Sequence, residues 1–154
     1  MKNSKTFIIV LAVVLSAFFA NAGFSQTKEE SHAKLSEHHN KAVKAAGDIV
    51  SDKAKTKEEK VAKANEATAS LKEAKKEHEN LKKAIPEHQK AMAKPYHDKI
   101  DKHHAAATKH AEEMNKELKK PAPNHAKVKE HAKGMKESIE KAENEHKAMK
   151  TKIK

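Results

Sequence analysis

Each methionine beyond residue 26 lies one helical turn after a histidine, in the pairs His88/Met92, His110/Met114, His131/Met135 and His146/Met149. Side chains three or four residues apart share a helical face. Each pair therefore offers an imidazole nitrogen and a thioether sulfur to one point in space. Neutral imidazole is the commonest protein metal ligand, and thioether sulfur adds a preference for soft ions such as Cu(I). With twelve histidines among 154 residues, the first chemistry to consider is ligation of a late first-row metal. Copper, as Cu(I) or Cu(II), comes first, followed by Zn and Ni.

Two apolar stripes bring the central pairs together. One runs through Met92, Tyr96, Ile100, His103, Ala107, His110, Met114 and Leu118, the other through Val128, Ala132, Met135, Ile139, Ala142, His146, Met149 and Ile153. Both step by threes and fours, as helices of a bundle do. Folded about Pro121-Ala122-Pro123-Asn124, the arms set His110-Met114 opposite His131-Met135. That is a candidate two-nitrogen, two-sulfur site, with His39 from an earlier helix as a fifth ligand. The H-x-x-x-M and H-x-x-M spacing resembles the His/Met motifs of periplasmic silver- and copper-binding proteins. The resemblance covers these pairs alone, and the chain lacks the methionine abundance of those proteins.

A plainer reading competes with ligation. Methionine fills gaps in cores, and histidine can occupy a half-wet stripe position. Any two residues of one stripe are apt to fall three or four apart. Stripe positions that leucine would usually take carry His32, His39, His78, His103, His110 and His146. A buried neutral imidazole needs partners and forfeits apolar transfer energy. Such histidines would also charge as pH falls, which makes an acid-opened bundle a further possibility.

Harder ligand sets are present too. His97, Asp101 and His104 share one face, and Glu29-His32 and Glu143-His146 have the Glu-x-x-His spacing of di-iron carboxylate bundles. That chemistry also needs bridging acids from other helices, where this sequence places Ala, Leu and Thr. No cysteine, nucleophile elbow or phosphate-cradling glycine loop suggests an enzyme, and the expectation is that there is no catalytic activity.

The elements that must hold these groups announce themselves by their caps. Thr27-Lys28-Glu29-Glu30 and Thr56-Lys57-Glu58-Glu59 are capping boxes, opening a first, shorter helix to about Ala46 and a second of about 29 residues. Gly47 is the expected stop of the first helix. Pro86 marks a tight turn, Pro95 should kink the third helix or delay its start, and Asn124 caps the fourth. The predicted fold is all-α: an antiparallel up-down bundle of three long helices and one shorter, coiled-coil-like, with a thin core. Leu, Ile, Val and Phe make up only about a tenth of residues 23–154.

Residues 1–22 read as a cleaved secretory signal peptide. Lys2 and Lys5 precede an apolar run from Phe7 to Ala20, and Ala20-Asn21-Ala22 supplies the small residues of a cleavage site; a second cut is possible after Ser25. Residues 23–154 are then one helical domain, periplasmic or secreted, with no transmembrane segment. All 33 basic residues are lysine, and without Lys2 and Lys5 the net charge is about +9. Sequence-specific nucleic-acid readers favour the arginine fork, and single-strand binders need aromatic platforms. Neither is found here.

The expected function is thus a non-enzymatic exported protein that binds or buffers a metal ion through His110, Met114, His131, Met135 and His39. The competing class is a structural or interaction bundle. Its lysine-rich face would meet anionic envelope polymers or a helical partner, and thin striped helices also favour a homo-oligomer.

Overall fold

The structure, a computed structural model, describes residues 26–154; the leader reading and both cleavage sites lie outside the described residues. Four helices follow in order: α1 (Lys28–Val50), α2 (Lys57–Ala84), α3 (Glu87–Leu118) and α4 (His125–Lys152). They form a helical bundle in which α1 packs on α2 and α4, and α3 packs on α2 and α4. Of the described helices, none is long and apolar enough to cross a membrane.

Both capping boxes form. The hydroxyls of Thr27 and Thr56 accept from the amides of Glu30 and Glu59, whose carboxylates accept in return from the threonine amides. The Asn124 side chain accepts from the amide of Lys127 at the start of α4. Ile85 and Pro86 form the turn between α2 and α3.

Two local expectations need correction. Helix α1 does not stop at Gly47 but runs on to Val50, because Ile49 is fully buried and its packing outweighs the local cost of glycine. The left-handed residue after the helix is Asp52, with φ 55°, a conformation that aspartate tolerates better than most residues. Pro95 does not delay the start of α3, which begins ahead of it at Glu87.

The inward stripes of α1, α2 and α4 are those the periodicity indicates, with Leu35, Ala42, Ala64, Leu71, Leu81, Val128, Met135 and Ile139 all buried. Helix α3 keeps Ile100, Ala107, Met114 and Leu118 of its expected stripe inward, but between them the next residue along takes the inward place. Ala93, His97, Ile100, His104, Ala107, Ala111 and Met114 face inward, while Met92 is 52 % exposed and His103 and His110 are half-buried. A one-residue step turns a helix by about 100°. Small alanines on one candidate stripe and larger residues on the other left the local pattern ambiguous.

Apolar packing divides into two clusters. One centres on Ile49, Leu71, Met114 and Met135, the other on Leu35, Leu81, Ile100 and Met149. Along α1, His39 stands between Leu35 of the second cluster and Ala42 of the first; along α3, His104 stands between Ile100 and Ala107. Polar residues thus occupy the seats where one apolar cluster gives way to the next. Much of the remaining core is alanine, which buries little area per residue.

Candidate metal centre

The seam between the clusters is built from histidine. Glu143, projecting from α4 and 5 % exposed, is its anchor. Its Oε1 accepts from the Ser36 hydroxyl at 2.7 Å. Its Oε2 lies 2.7 Å from His39 Nδ1 and 3.3 Å from His146 Nδ1. An ionised carboxylate only accepts, so both imidazoles carry their proton on Nδ1. Each Nε2 is then a lone pair needing a donor, and each finds one. His104 Nε2 lies 2.8 Å from His39 Nε2, and His32 Nδ1 lies 2.6 Å from His146 Nε2.

One carboxylate therefore sets the tautomers of four imidazoles. His104 and His32 donate, leaving His104 Nδ1 and His32 Nε2 as lone pairs. His32 Nε2 is buried without a partner among the described residues. A second pair lies beside this network, with His78 Nε2 2.8 Å from His97 Nδ1. The other nitrogen of His78 is buried and 3.1 Å from Asp101 Oδ1, but not aligned for a hydrogen bond.

Burial governs the protonation of these rings. It pushes His32 down to about 4, helped by the neighbouring His146, and His104 down to about 3, helped by His39. Burial, with His104 and His97 close by, drives His78 to about 2. His39 is also lowered by burial, in part offset by its bond to Glu143. Burial alone would raise the Glu143 carboxyl, but hydrogen bonds from His146, His39 and Ser36 outweigh it and hold the group well below the usual carboxylate range. At neutral pH the seam is a buried anion with the neutral rings of His32, His39, His78 and His104 around it.

Two groups within this seam could hold a metal ion: His39, Glu143 and His146, all buried, and His78, Asp101 and His104, of which Asp101 is exposed. Within each group the ligand atoms lie within 4.8 Å of one another. The first group joins α1 to α4 and the second joins α2 to α3. The Glu143/His146 spacing and the His97/Asp101/His104 face are visible in the sequence. Their partners His39 and His78, from other helices, are not.

The five residues singled out from sequence do not all come together. His39 belongs to the Glu143 network. His110 and His131 are half-buried with ring centroids 6.0 Å apart, and His131 Nδ1 has no hydrogen-bond partner among the described residues. Met114 and Met135 are fully buried within the first apolar cluster. The His110 ring lies over Gly134, where an added Cβ would come within 2.5 Å of it; this close approach explains the glycine inside α4.

Replacing both Met114 and Met135 by leucine, a volume-conserving change, should move stability by less than about 1.5 kcal/mol. Thermal melts with and without Zn(II) measure this. An unaltered metal response is expected if the ions go to the histidine–carboxylate groups, and a lost response would return the thioethers to the ligand set.

The chain matches no family model, no curated protein and no solved structure. Its class is set by fold and site alone: a helical bundle, of four helices among the described residues, with a buried histidine–carboxylate seam.

Proposed function

We propose that this is an exported, non-enzymatic protein of the periplasm or extracellular space that binds and buffers a late first-row divalent metal ion. The observation that carries the reading is the buried His39–Glu143–His146 group. A dry site made of two imidazoles and a carboxylate suits Cu(II), Zn(II) or Ni(II) better than Cu(I). Each ligand is also held from behind, His39 by His104, His146 by His32 and Glu143 by Ser36. Such outer partners orient ligands and tune their basicity.

Paired residues support an up-down antiparallel order: Lys28 with Ile153 and His32 with His146 across α1 and α4, and Lys82 with Asp101 and Asn115 with Thr68 across α2 and α3. In that arrangement an ion ties together helices whose alanine-rich core holds them weakly, so binding energy appears as folding energy.

Thermal melts of the full mature chain with Zn(II), Cu(II) and Ni(II) test the reading. At about a hundredfold excess over the dissociation constant, stabilisation of about 2.7 kcal/mol is expected. His146→Gln should abolish it. A midpoint unmoved by all three ions defeats the proposal. Salt-dependent retention on an anionic matrix, in that event, would favour the interaction bundle with its exposed lysines.

The His110/Met114/His131/Met135 set remains a second, softer site, favoured by the unpartnered His131 Nδ1. Its ion would be Cu(I).

A further inference from the structure

We infer that the His78–Asp101–His104 group is the port through which an ion reaches the buried His39–Glu143–His146 group, passing across the His39–His104 contact, so that these two groups together hold one ion at a time. This rests on the metal-binding reading above and adds to it a route and a stoichiometry.

The two groups differ in access. Asp101 has a side chain 48 % exposed, and lines an open groove with Asp98 and His97 and the long side chains of Lys82, Lys90 and Lys94. A hydrated cation can meet that carboxylate while still carrying water. The buried group is far less accessible, its three side chains being 0 to 7 % exposed. Its carboxylate also has the Lys147 ammonium 3.5 Å from Oε1. Among the described ion pairs Lys147 has no other carboxylate to turn to. Lys82, which lies 2.7 Å from Asp101 Oδ2, also lies 2.7 Å from Glu79 Oε1. It can stay on Glu79 and release Asp101 to an arriving ion.

The port is built to receive. His78 is 1 % exposed at its side chain, and its Nδ1 faces Asp101 without a hydrogen bond. With His104 Nε2 donating to His39, the lone pair of His104 is on Nδ1, and that nitrogen would take the ion. Ring centroids of His78 and His104 are 5.5 Å apart, and those of His104 and His39 5.1 Å apart. His104 thus belongs to the port and touches the buried group.

The same contact makes the two positions exclusive. An ion bound by Nδ1 of His39 and of His146 displaces the protons those atoms carry. The His104 Nε2 proton moves to His39 Nε2, the His39 Nδ1 proton leaves to water, and His104 Nδ1 takes one up. On the other branch the His32 Nδ1 proton moves to His146 Nε2, the His146 Nδ1 proton leaves, and His32 Nε2 takes one up. The proton count of the four rings is unchanged. His104 Nδ1, however, now bears hydrogen and no longer ligates. Filling the buried position therefore disarms the port.

Native mass spectrometry of the mature chain with Zn(II), and stopped-flow loading against a chromogenic chelator, test this. One tightly held Zn(II) per chain is expected. Asp101→Asn should load at least tenfold more slowly and still reach one ion, whereas Asp52→Asn, beyond the end of α1, should load like the parent. Glu143→Gln should keep only the port, releasing Zn(II) to the chelator at least tenfold faster. Two equally tight ions in the parent, undiminished loading in Asp101→Asn, or parent-like retention in Glu143→Gln would each overturn the route while leaving metal binding intact. No binding of Zn(II) by the parent at all would remove the underlying reading, and this inference with it.

Discussion

Lowering the pH from 7 to about 4 unfolds the bundle cooperatively in the absence of metal. His32, His78 and His104 are neutral in the fold, with values of about 4, 2 and 3 against 6.5 when free. Each depressed value means that the unfolded chain binds more protons than the folded chain between the two values. Stability is thus complete above about pH 6.5 and falls as pH drops toward the folded value. The slope is at most about 1.4 kcal/mol per pH unit for each ring. Lys28 and Lys150 near His32, Lys82 near His78, and Lys75 near His104 push in the same direction. Glu143 does so too, since its depressed carboxyl withdraws stability once protonated in the unfolded chain. Domains of this size have about 5–15 kcal/mol in all, and an alanine-rich core belongs at the lower end. Far-UV circular dichroism against pH measures the effect. Helicity that persists unchanged to pH 3 would mean that the rings do not occupy dry, neutral seats.

Glu143→Ala should cost about 3 kcal/mol of stability without metal and abolish tight metal binding. The wild-type carboxylate accepts from Ser36, His39 and His146. Alanine leaves those donors facing a cavity, and an unmade buried hydrogen bond costs about 1–3 kcal/mol per group. The imidazoles can move their protons to the other nitrogen, so the loss falls short of the full sum. Urea unfolding at neutral pH gives the stability change, and Zn(II) titration the binding. A stability change below about 1 kcal/mol would show that Glu143 does not anchor the seam. Lost stability with intact binding would place the ion elsewhere, the His110–His131 pair being the next position to examine.

The local rules were sufficient wherever the deciding contacts lie within one or two turns. Thr27 with Glu30 and Thr56 with Glu59 determine where α1 and α2 begin, Asn124 where α4 begins, and Pro86 where the chain turns. They failed at Gly47, where the burial of Ile49 carries the helix past its expected stop. They failed again in α3, where Met92, Tyr96 and His103 made as good a stripe as Ala93, His97 and His104. Ile100, Ala107, Met114 and Leu118 of the expected stripe are buried, but Met92, Tyr96, His103 and His110 are not, because only the neighbouring helices decide which face is covered.

Local pattern was enough to establish that residues 26–154 are mostly helical, where most of the helices begin, which faces of α1, α2 and α4 turn inward, and that imidazoles stand in seats usually taken by leucine. Tertiary structure alone decided which of those imidazoles meet. His39 finds Glu143 across a separation of 104 residues, and His78 meets Asp101 between α2 and α3. The reason is geometric. Periodicity constrains a residue's angle around its own helix, while convergence depends on how neighbouring helices are rotated and slid. A single step of about 1.5 Å and 100° separates His104, whose ring bonds His39, from His103, whose ring stays half outside.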